Sequence, residues 1–367
     1  MSGAEDARPA PPATTSGAPA RIGVIVPCRD EARVIGRKLA NLAHANWPAH
    51  PAGAPHVVCV VDDGSRDQTA AAAREALAEP APFELRVVAN REAPGKAGAI
   101  RSALAELAGQ TPPVDLLVLS DADVVLRPDA LTALRDAFAR EPGLAMACGA
   151  QEFVRDLADD GTCRGADGGE PVSAAGLYDR WTARIRARES RVGRLFSVHG
   201  QLLAWRASLG LRPTPGVAAD DIELMLQART RGGPVNRVRL VASARFLERK
   251  TPAGDARESQ ALRRARAYFQ VIGRARGGGL LDRAHLWMYR VLPAAAPWLA
   301  LGFAAALPPV AWSLGGRAGL AAALGVLALA GALPVGRRLA SLLRLIARAW
   351  WRERRESISD RWEMERS

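Results

Sequence analysis

From residue 21 onward, short apolar runs alternate along the chain with stretches of helical periodicity. The runs predict β-strands, because each is short and continuously apolar, as in strands buried on both faces of a sheet. The predicted strands cover residues 22–26, 56–61, 84–89, 115–119 and 145–148, and the predicted helices cover residues 32–45, 67–78, 96–108 and 128–140. This alternation predicts an α/β fold with a doubly wound, mostly parallel sheet.

Two longer apolar runs near the C-terminus are of a different kind. Residues 291–314 and 318–335 contain no charged side chain, and each run is long enough to cross a bilayer as a helix. Gly315-Gly316-Arg317 between them is short enough for a tight turn, so the pair predicts a C-terminal transmembrane helical hairpin. A buried helical pair in a soluble domain is the alternative. Arginines flank both runs, and the positive-inside rule then places the flanks and the large domain in the cytoplasm.

The tail beyond the second apolar run is basic and amphipathic. Apolar residues recur there at helical spacing and arginines recur on the other side, which is typical of a helix on an anionic membrane surface. A helix packed on the globular domain is the alternative. These patterns divide the chain into a disordered leader (1–20), an α/β domain (21–250), a basic helical segment (251–290), the two transmembrane helices (291–335) and the amphipathic tail (336–367).

The net charge of +12 favours an anionic partner, such as phospholipid headgroups, phosphorylated substrates or nucleic acid. Nearly all of the 50 basic residues are arginines; the lysines are Lys38, Lys96 and Lys250. No recognisable signature of a nucleic-acid-binding domain accompanies the charge. A membrane-associated nucleic-acid-binding protein is therefore a less favoured class.

Two carboxylates one residue apart follow the fourth predicted strand. Asp121 and Asp123 come directly after this apolar run, and residues i and i+2 of an extended chain point the same way. Hard divalent cations prefer oxygen ligands, and Mg²⁺ typically takes one or two carboxylates together with substrate phosphates. We therefore expect this pair to hold Mn²⁺ or Mg²⁺. A pair of solvated turn carboxylates is the alternative.

Further polar clusters follow the first three predicted strands. These clusters comprise Pro27 with Asp30-Glu31, Asp62-Asp63-Gly64-Ser65, and Gly95-Lys96. Ligands of such sheets bind beyond the carboxyl ends of the strands, where a carboxylate can accept a hydrogen bond from a base N–H or a ribose hydroxyl. Helix capping and turn formation are the alternative roles.

Together with Asp121-Ala122-Asp123, these clusters resemble, in order, the motifs of the family 2 glycosyltransferases, which are inverting enzymes with a Rossmann-like GT-A fold. The resemblance covers residues 22–290 and departs from the family at Asp30, where Asn is usual. It implies a nucleotide-diphosphate sugar as donor, with a UDP-sugar favoured. The residues that it assigns to this donor are Pro27, Asp30, Glu31, Asp62, Asp63, Gly95, Lys96 and Asp121.

The resemblance extends to the acceptor side. Asp220 and Asp221 resemble the Glu-Asp motif of the family, with Asp220 in the Glu position, so Asp221 falls where the family has its general base. The chemistry agrees, because an acceptor hydroxyl must lose its proton as it attacks the anomeric carbon. Capping of the helix predicted over residues 222–231 is the alternative, and both roles are compatible.

Two further groups are candidates for the acceptor and diphosphate side. Gln260, Arg263 and Arg264 resemble the Gln-x-x-Arg-Trp motif of polysaccharide-synthesising members, with Arg264 in place of Trp. One face of a basic helix over residues 258–276 is an equally good interpretation of them. His199 follows a strand-like run at residues 195–198 and is a candidate for the lining of the acceptor pocket.

The sequence therefore predicts a metal-dependent inverting glycosyltransferase in the inner (cytoplasmic) membrane, with its catalytic domain in the cytoplasm. The expected acceptor is a lipid-linked or cell-envelope molecule, membrane lipids are further partners, and no nucleic acid is expected. A processive polysaccharide synthase of the same family is the alternative. Arg264 and the presence of only two predicted spans argue against it.

Overall fold

The computed structural model describes residues 21–49, 53–77, 80–155, 157–158, 173–233, 235–249, 255–275 and 280–356. The predicted leader, nearly all of the polar stretch 156–171 and the end of the tail lie outside these residues. The chain forms two compact units. Of the described residues, the first contains those from 21 to 216 and from 220 to 249, and the second contains residues 217–219 and those from 255 to 356.

The first unit is an α/β domain. Its strands are β1 (Ile22–Cys28), β2 (His56–Asp62), β3 (Phe83–Ala89), β4 (Leu116–Ser120), β5 (Val125–Leu126), β6 (Leu144–Val154), β7 (Leu202–Arg206) and β8 (Arg237–Arg249). Its α-helices are α1 (Ala32–Ala43), α2 (Thr69–Glu75), α3 (Lys96–Ala108), α4 (Ala130–Arg140), α5 (Leu177–Arg191) and α6 (Asp220–Arg231).

The eight strands form one sheet in the order β3-β2-β1-β4-β7-β6-β8-β5. Strands β3, β2, β1 and β4 are parallel, which confirms the predicted doubly wound part of the fold. Beyond β4 the sheet is mixed, because β7 runs antiparallel to both of its neighbours and β5 runs antiparallel to β8, whereas β6 and β8 are parallel. The polar clusters follow the carboxyl ends of β1 to β4, where such sheets bind ligands.

Burial in the core explains why these strands could be predicted from the sequence. Strands β1 and β4 are buried along their whole length, as expected for strands covered on both faces. Helix α1 packs its apolar face, Ile35, Leu39 and Leu42, into the same core. Each such side chain contributes about 1.5–3 kcal/mol through burial. The helix is thereby held firmly beside the strand ends.

Several predicted boundaries were wrong. The run at residues 195–198 is not a strand, although Leu195 and Phe196 are buried; the strand begins later, at Leu202. Helix α2 begins at Thr69, because the carboxylate of Asp67 accepts hydrogen bonds from the N–H groups of Thr69 (3.0 Å) and Ala32 (3.0 Å) and stays outside the helix. Strand β6 continues to Val154 because it pairs with β8.

The second unit contains three helices, α7 (Asp255–Arg274), α8 (Leu280–Ala332) and α9 (Pro334–Arg355). Helix α8 is interrupted at Gly316, where φ is 54° and ψ is −137°. A Cβ on Gly319 would lie 2.0 Å from the carbonyl oxygen of Ala311, eight residues earlier. Eight residues of straight helix span about 12 Å, so α8 consists of two arms that fold back on each other. The second arm ends before the predicted residue 335, because Pro334 begins α9.

Residues 282–332 of α8 are long and apolar enough to cross a membrane, judged by length and composition, and none of their most apolar window is buried. Helix α9 contacts both α7 and α8. Ion pairs join Arg266 of α7 to Glu353 (3.5 Å) and Glu258 to Arg348 (3.1 Å). The described part of the amphipathic tail is therefore a helix packed against the other helices of its own unit.

Candidate active site

Asp63 ties together the loops that follow the first three strands. Its side chain is 2% exposed, and its two carboxylate oxygens accept hydrogen bonds from Asn90 Nδ2 (2.6 Å) and the N–H of Gly95 (2.8 Å). Arg29, which follows β1, lies 3.6 Å from the same carboxylate. A buried carboxylate with these partners is fully satisfied. Asp63 therefore fixes the loop before α3.

A second group fixes the turn between β2 and α2. Asp62 accepts hydrogen bonds from the N–H of Ser65 (3.2 Å) and from its hydroxyl. Asp30 accepts a hydrogen bond from the N–H of Arg66 (2.7 Å), and its own N–H donates to Ser65 Oγ (3.0 Å). The φ of Asp30 is 54°, a left-handed conformation that Asp and Asn tolerate better than other residues with a side chain. This conformation explains why Asp can stand where Asn is usual.

Pro27 and Glu31 are buried, one near the end of β1 and the other directly before α1. Pro27 lies opposite Val61 of β2, beyond the last residue of β1 that pairs with β4. A proline without an N–H is tolerated there. Glu31 is 4% exposed, its N–H donates to Thr69 Oγ1 (2.8 Å), and its carbonyl accepts the N–H of Ile35 (2.9 Å) in the first turn of α1.

Lys96 is the centre of the charged part of the site. It begins α3 directly after Gly95, whose φ of 121° favours glycine. Its Nζ lies 2.6 Å from Asp121 Oδ1. Burial alone would lower the pKa of Lys96, but the negative charges of Asp121, Asp220 and Asp221 hold it above its ordinary value. The fold thus brings together residues that are far apart in the sequence.

Asp220 and Asp221 open helix α6, where negative charge also stabilises the helix dipole. Asp220 is 8% exposed, and its buried Oδ2 has no hydrogen-bond partner within the described part of the chain. Asp221 Oδ1 accepts the N–H of Ile222 (2.8 Å), and a Cβ on Gly200 would lie 3.2 Å from Asp221 Cβ. Burial raises the pKa of both carboxyls, and Lys96 opposes that rise. A carboxylate with a raised pKa is a better proton acceptor.

The donor set fits a hard divalent cation. Asp121 and Asp123 stand on either side of buried Ala122, and Asp123 is exposed. Among the residues that the structure describes, no group of three or more His, Cys, Asp or Glu side chains forms a complete cage. Two carboxylates suffice for Mg²⁺ when substrate phosphates supply further oxygens. The unpartnered oxygen of Asp220 and the shared negative charge around Lys96 also favour a cation.

Lys38 belongs to this site and was missed in the sequence. It is 2% exposed, and its Nζ donates to Ser120 Oγ (2.7 Å) and to the carbonyl of Val124 (3.0 Å). Burial lowers the pKa of Lys38 to about 8, and the charges of Asp121 and Asp123 oppose this effect. The available signal was a lysine on the buried face of α1, because lysine is almost never fully buried unless it is paired.

His199 and Gln201 lie on the segment that leads into β7. His199 is 7% exposed, and its ring packs edge-on against Phe246, with the centroids 5.9 Å apart. The carbonyl of Gln201 accepts a hydrogen bond from Ser120 Oγ (3.2 Å), and its Nε2 donates to Glu248 (3.3 Å). His199 is thus a packed residue that directly precedes Gly200, whose backbone donates a hydrogen bond to the carboxylate of Asp221.

The remaining predicted residues belong to the second unit. Gln260, Arg263 and Arg264 belong to helix α7 of the second unit. Their assignment to the acceptor and diphosphate side stays a prediction.

Comparison with known proteins gives the family. Residues 19–267 match the family model described as Glycosyltransferase like family 2. No curated protein sequence matches the chain. A mannosyltransferase from Pyrobaculum calidifontis, solved in complex with GDP-Man and Mn²⁺, is similar over 92% of this chain and 89% of that one, with 22% identity and a TM-score of 0.64.

A second solved structure is less similar. Glucosyl-3-phosphoglycerate synthase from Mycobacterium tuberculosis, solved with Mn²⁺, UDP-Glc and phosphoglyceric acid, matches 71% of this chain and 81% of that one, with 18% identity and a TM-score of 0.46. The likeness to the mannosyltransferase shows the GT-A fold. Because the family model covers more than half of the sequence, the chain belongs to the family 2 glycosyltransferases.

Proposed function

We propose that this glycosyltransferase is metal-dependent and inverting, and that it moves a sugar from a nucleotide-diphosphate sugar to an acceptor hydroxyl. The observation that carries the proposal is the gathering of Asp121, Asp220 and Asp221 around Lys96, at the carboxyl ends of the parallel strands. This arrangement combines positive charge for a leaving diphosphate with carboxylates for a cation and for a proton.

On the donor side, the main electrostatic task is to stabilise the negative charge that develops on the departing diphosphate. Asp121 and Asp123 would hold the Mn²⁺ or Mg²⁺, which offsets part of this charge as a Lewis acid when bound. Lys96, whose side chain is 22% exposed, is a cation of the same site, and Gly95 and Asp63 fix the turn that presents it. A UDP-sugar stays the favoured donor from the sequence.

On the acceptor side, Asp221 is the proposed general base. As the acceptor oxygen bonds to the anomeric carbon, the bond from that carbon to the diphosphate oxygen breaks, and the hydroxyl proton passes to the Asp221 carboxylate. Attack on the face opposite the leaving group inverts the anomeric centre. Asp220 would orient the acceptor or share the proton, because its unpartnered Oδ2 is buried next to this position in the chain.

We also propose that α8 anchors the protein in the cytoplasmic membrane and that the acceptor is lipid-linked or part of the cell envelope. Large apolar side chains of α8 are exposed to an extent unusual in soluble proteins, including Trp298 (56%), Phe303 (69%) and Leu314 (84%). The two apolar runs, 291–314 and 318–335, carry no charged side chain, and a helix satisfies its own backbone hydrogen bonds in lipid. A membrane position would bring the enzyme to acceptors that do not leave the bilayer.

The donor is tested by incubating the detergent-solubilised full chain with a panel of UDP- and GDP-sugars, with and without Mn²⁺. We expect one sugar nucleotide to bind and to release its nucleoside diphosphate only when the metal is present. UDP-glucose and GDP-mannose belong in the panel, because the similar solved structures contain them. A folded protein that binds no member of the panel, with or without metal, would contradict the proposal.

The topology gives a separate prediction. In sealed right-side-out vesicles, the α/β domain and the tail after Gly336 should both be protected from added protease, because a hairpin returns the chain to the side from which it entered. Immunodetection of the two ends of the chain measures this protection. Opening the vesicles should make both ends cleavable, which is the control. Cleavage of the tail in intact vesicles would disprove the hairpin topology.

A further inference from the structure

We propose that Lys38 is a positioning residue that holds the carboxylate loop, residues 121–123, in the shape required for cation binding. The inference rests on the proposed function, since it assumes that Asp121 and Asp123 bind the cation. It assigns a role to a lysine that lies on α1, far in sequence from the loop.

Lys38 forms hydrogen bonds on both sides of the carboxylate loop. Its Nζ donates to Ser120 Oγ (2.7 Å) and to the carbonyl oxygen of Val124 (3.0 Å). These two residues directly precede and follow the carboxylate loop, so one ammonium group joins the two ends of the loop. The side chain is 2% exposed, and a buried ammonium without such acceptors would be strongly disfavoured. Lys38 is therefore a hydrogen-bond donor on the otherwise apolar, buried face of α1.

Helix α1 holds the chain after the loop at a second point. Asn41 Nδ2 donates to the carbonyl of Leu126 (2.9 Å), and its Oδ1 accepts the N–H of Leu126 (2.8 Å). Asn41 lies three residues after Lys38, and side chains at this spacing share a helix face. The carboxylate loop is therefore held on one side by β4 and on the other by α1, which packs into the core.

The same hydrogen bonds extend toward the proposed base. Ser120 Oγ, which accepts from Lys38, also donates to the carbonyl of Gln201 (3.2 Å). The preceding residue, Gly200, donates a backbone hydrogen bond to the carboxylate of Asp221. Lys38 is therefore connected through one serine hydroxyl to both the cation side and the proton side of the site.

The charge of Lys38 gives the proposal a distinctive test. A positive charge near Asp121 and Asp123 repels a divalent cation, so a lysine that acted only as a neighbouring charge would weaken metal binding. Its removal would then tighten binding. A lysine that positions the loop has the opposite effect, because loss of an outer-shell contact typically weakens metal binding about 10–100-fold. The two roles therefore differ in the direction of the change.

The experiment uses the full chain in detergent and the variant Lys38→Met, which keeps the length of the side chain and removes its donors. Titration with Mn²⁺ in the presence of a nucleoside diphosphate should show a dissociation constant about 10–100-fold higher than for the unaltered protein. Hydrogen exchange in metal-free protein should accelerate at residues 120–124 and stay unchanged in β2. Binding as tight as or tighter than in the unaltered protein, with unchanged exchange in the loop, would overturn the proposal.

Asn41→Ala is the matched control, because it removes hydrogen bonds from the same helix to a position beyond the carboxylates. We expect it to lower the melting temperature without a comparable loss of Mn²⁺ affinity. An equal loss would overturn the specific role of Lys38.

If Lys38→Met does not fold, the variant Ser120→Ala replaces it, because it removes one of the two acceptors of Lys38. We expect several-fold weaker Mn²⁺ binding, and unchanged binding would contradict the proposal. If the unaltered protein binds no Mn²⁺, the metal-dependent function fails, and the exchange measurement still decides whether Lys38 holds the loop.

Discussion

Replacing Asp221 by Asn is expected to lower glycosyl transfer by roughly 10²–10⁴-fold, the usual contribution of a positioned general base. The amide has nearly the same shape, and its oxygen can still accept the N–H of Ile222, which is 2.8 Å from Oδ1 in the carboxylate. It cannot accept the acceptor proton. Donor and metal affinities should therefore stay near those of the unaltered enzyme. Steady-state rates with the donor found in the sugar-nucleotide panel, together with direct binding titrations, measure the two effects separately.

Asp220→Asn is the matched control, because it makes the same chemical change one residue earlier in α6. We expect a smaller loss, since Asp220 would orient the acceptor or contribute only to the charge around Lys96. A fully active Asp221→Asn enzyme would move the base to another residue. Asp220 would then be the leading candidate, and the register of the predicted motif would be wrong by one residue.

The strands that carry the site could be predicted because they are buried on both faces. In β1 and β4, every position is buried, so the sequence shows an unbroken apolar run that ends where the polar residues begin. Strand β8 could not be recognised in this way. Its buried residues, such as Phe246, are interspersed with exposed arginines such as Arg245 and Arg249. The apolar positions are therefore too scattered to show the two-residue repeat that is typical of a half-buried strand.

At residues 195–198 the sequence predicted a strand that the structure does not contain. Leu195 and Phe196 are as fully buried as strand residues, and among the residues that the structure describes a single bridge, from Arg194 to Val238, joins this region to the sheet. Hydrophobicity alone reports burial and not hydrogen bonding between strands. The local sequence therefore could not distinguish this covered loop from β7, which pairs with β4 and β6.

Within the site, chain order predicted the carboxylates but not their partners. Asp121 and Asp123 were visible because they follow a strand. Lys38 was not, since its acceptor Ser120 lies 82 residues away and the contact depends on how α1 packs. Asp63 was assigned to the donor, which stays a prediction, and its hydrogen bonds from Asn90 and Gly95 were not foreseen. Such contacts depend on tertiary structure, which no local pattern encodes.

Replacing Asp123 by Ala is expected to abolish metal-dependent nucleotide binding and to leave the fold intact. Asp123 is exposed, so its loss removes little packing, whereas Asp121 is already paired with Lys96 at 2.6 Å. A cation site built on two carboxylates loses half of its protein ligands in this variant. The measurement is the affinity for UDP with and without Mn²⁺, together with the melting temperature.

Asp136→Ala on α4 provides the control, because this carboxylate lies on the helix surface, is 43% exposed and pairs with its neighbour Arg135 at 3.1 Å. It removes the same charge from the same unit at a position outside the site, so Mn²⁺-dependent UDP binding should be unchanged. Surface ion pairs of this kind contribute about 0–1 kcal/mol, so stability should hardly change either. If a folded Asp123→Ala protein retained the Mn²⁺-dependent UDP affinity of the unaltered enzyme, Asp123 could not be a metal ligand, and the cation would have to be held by Asp121 with the carboxylates of α6.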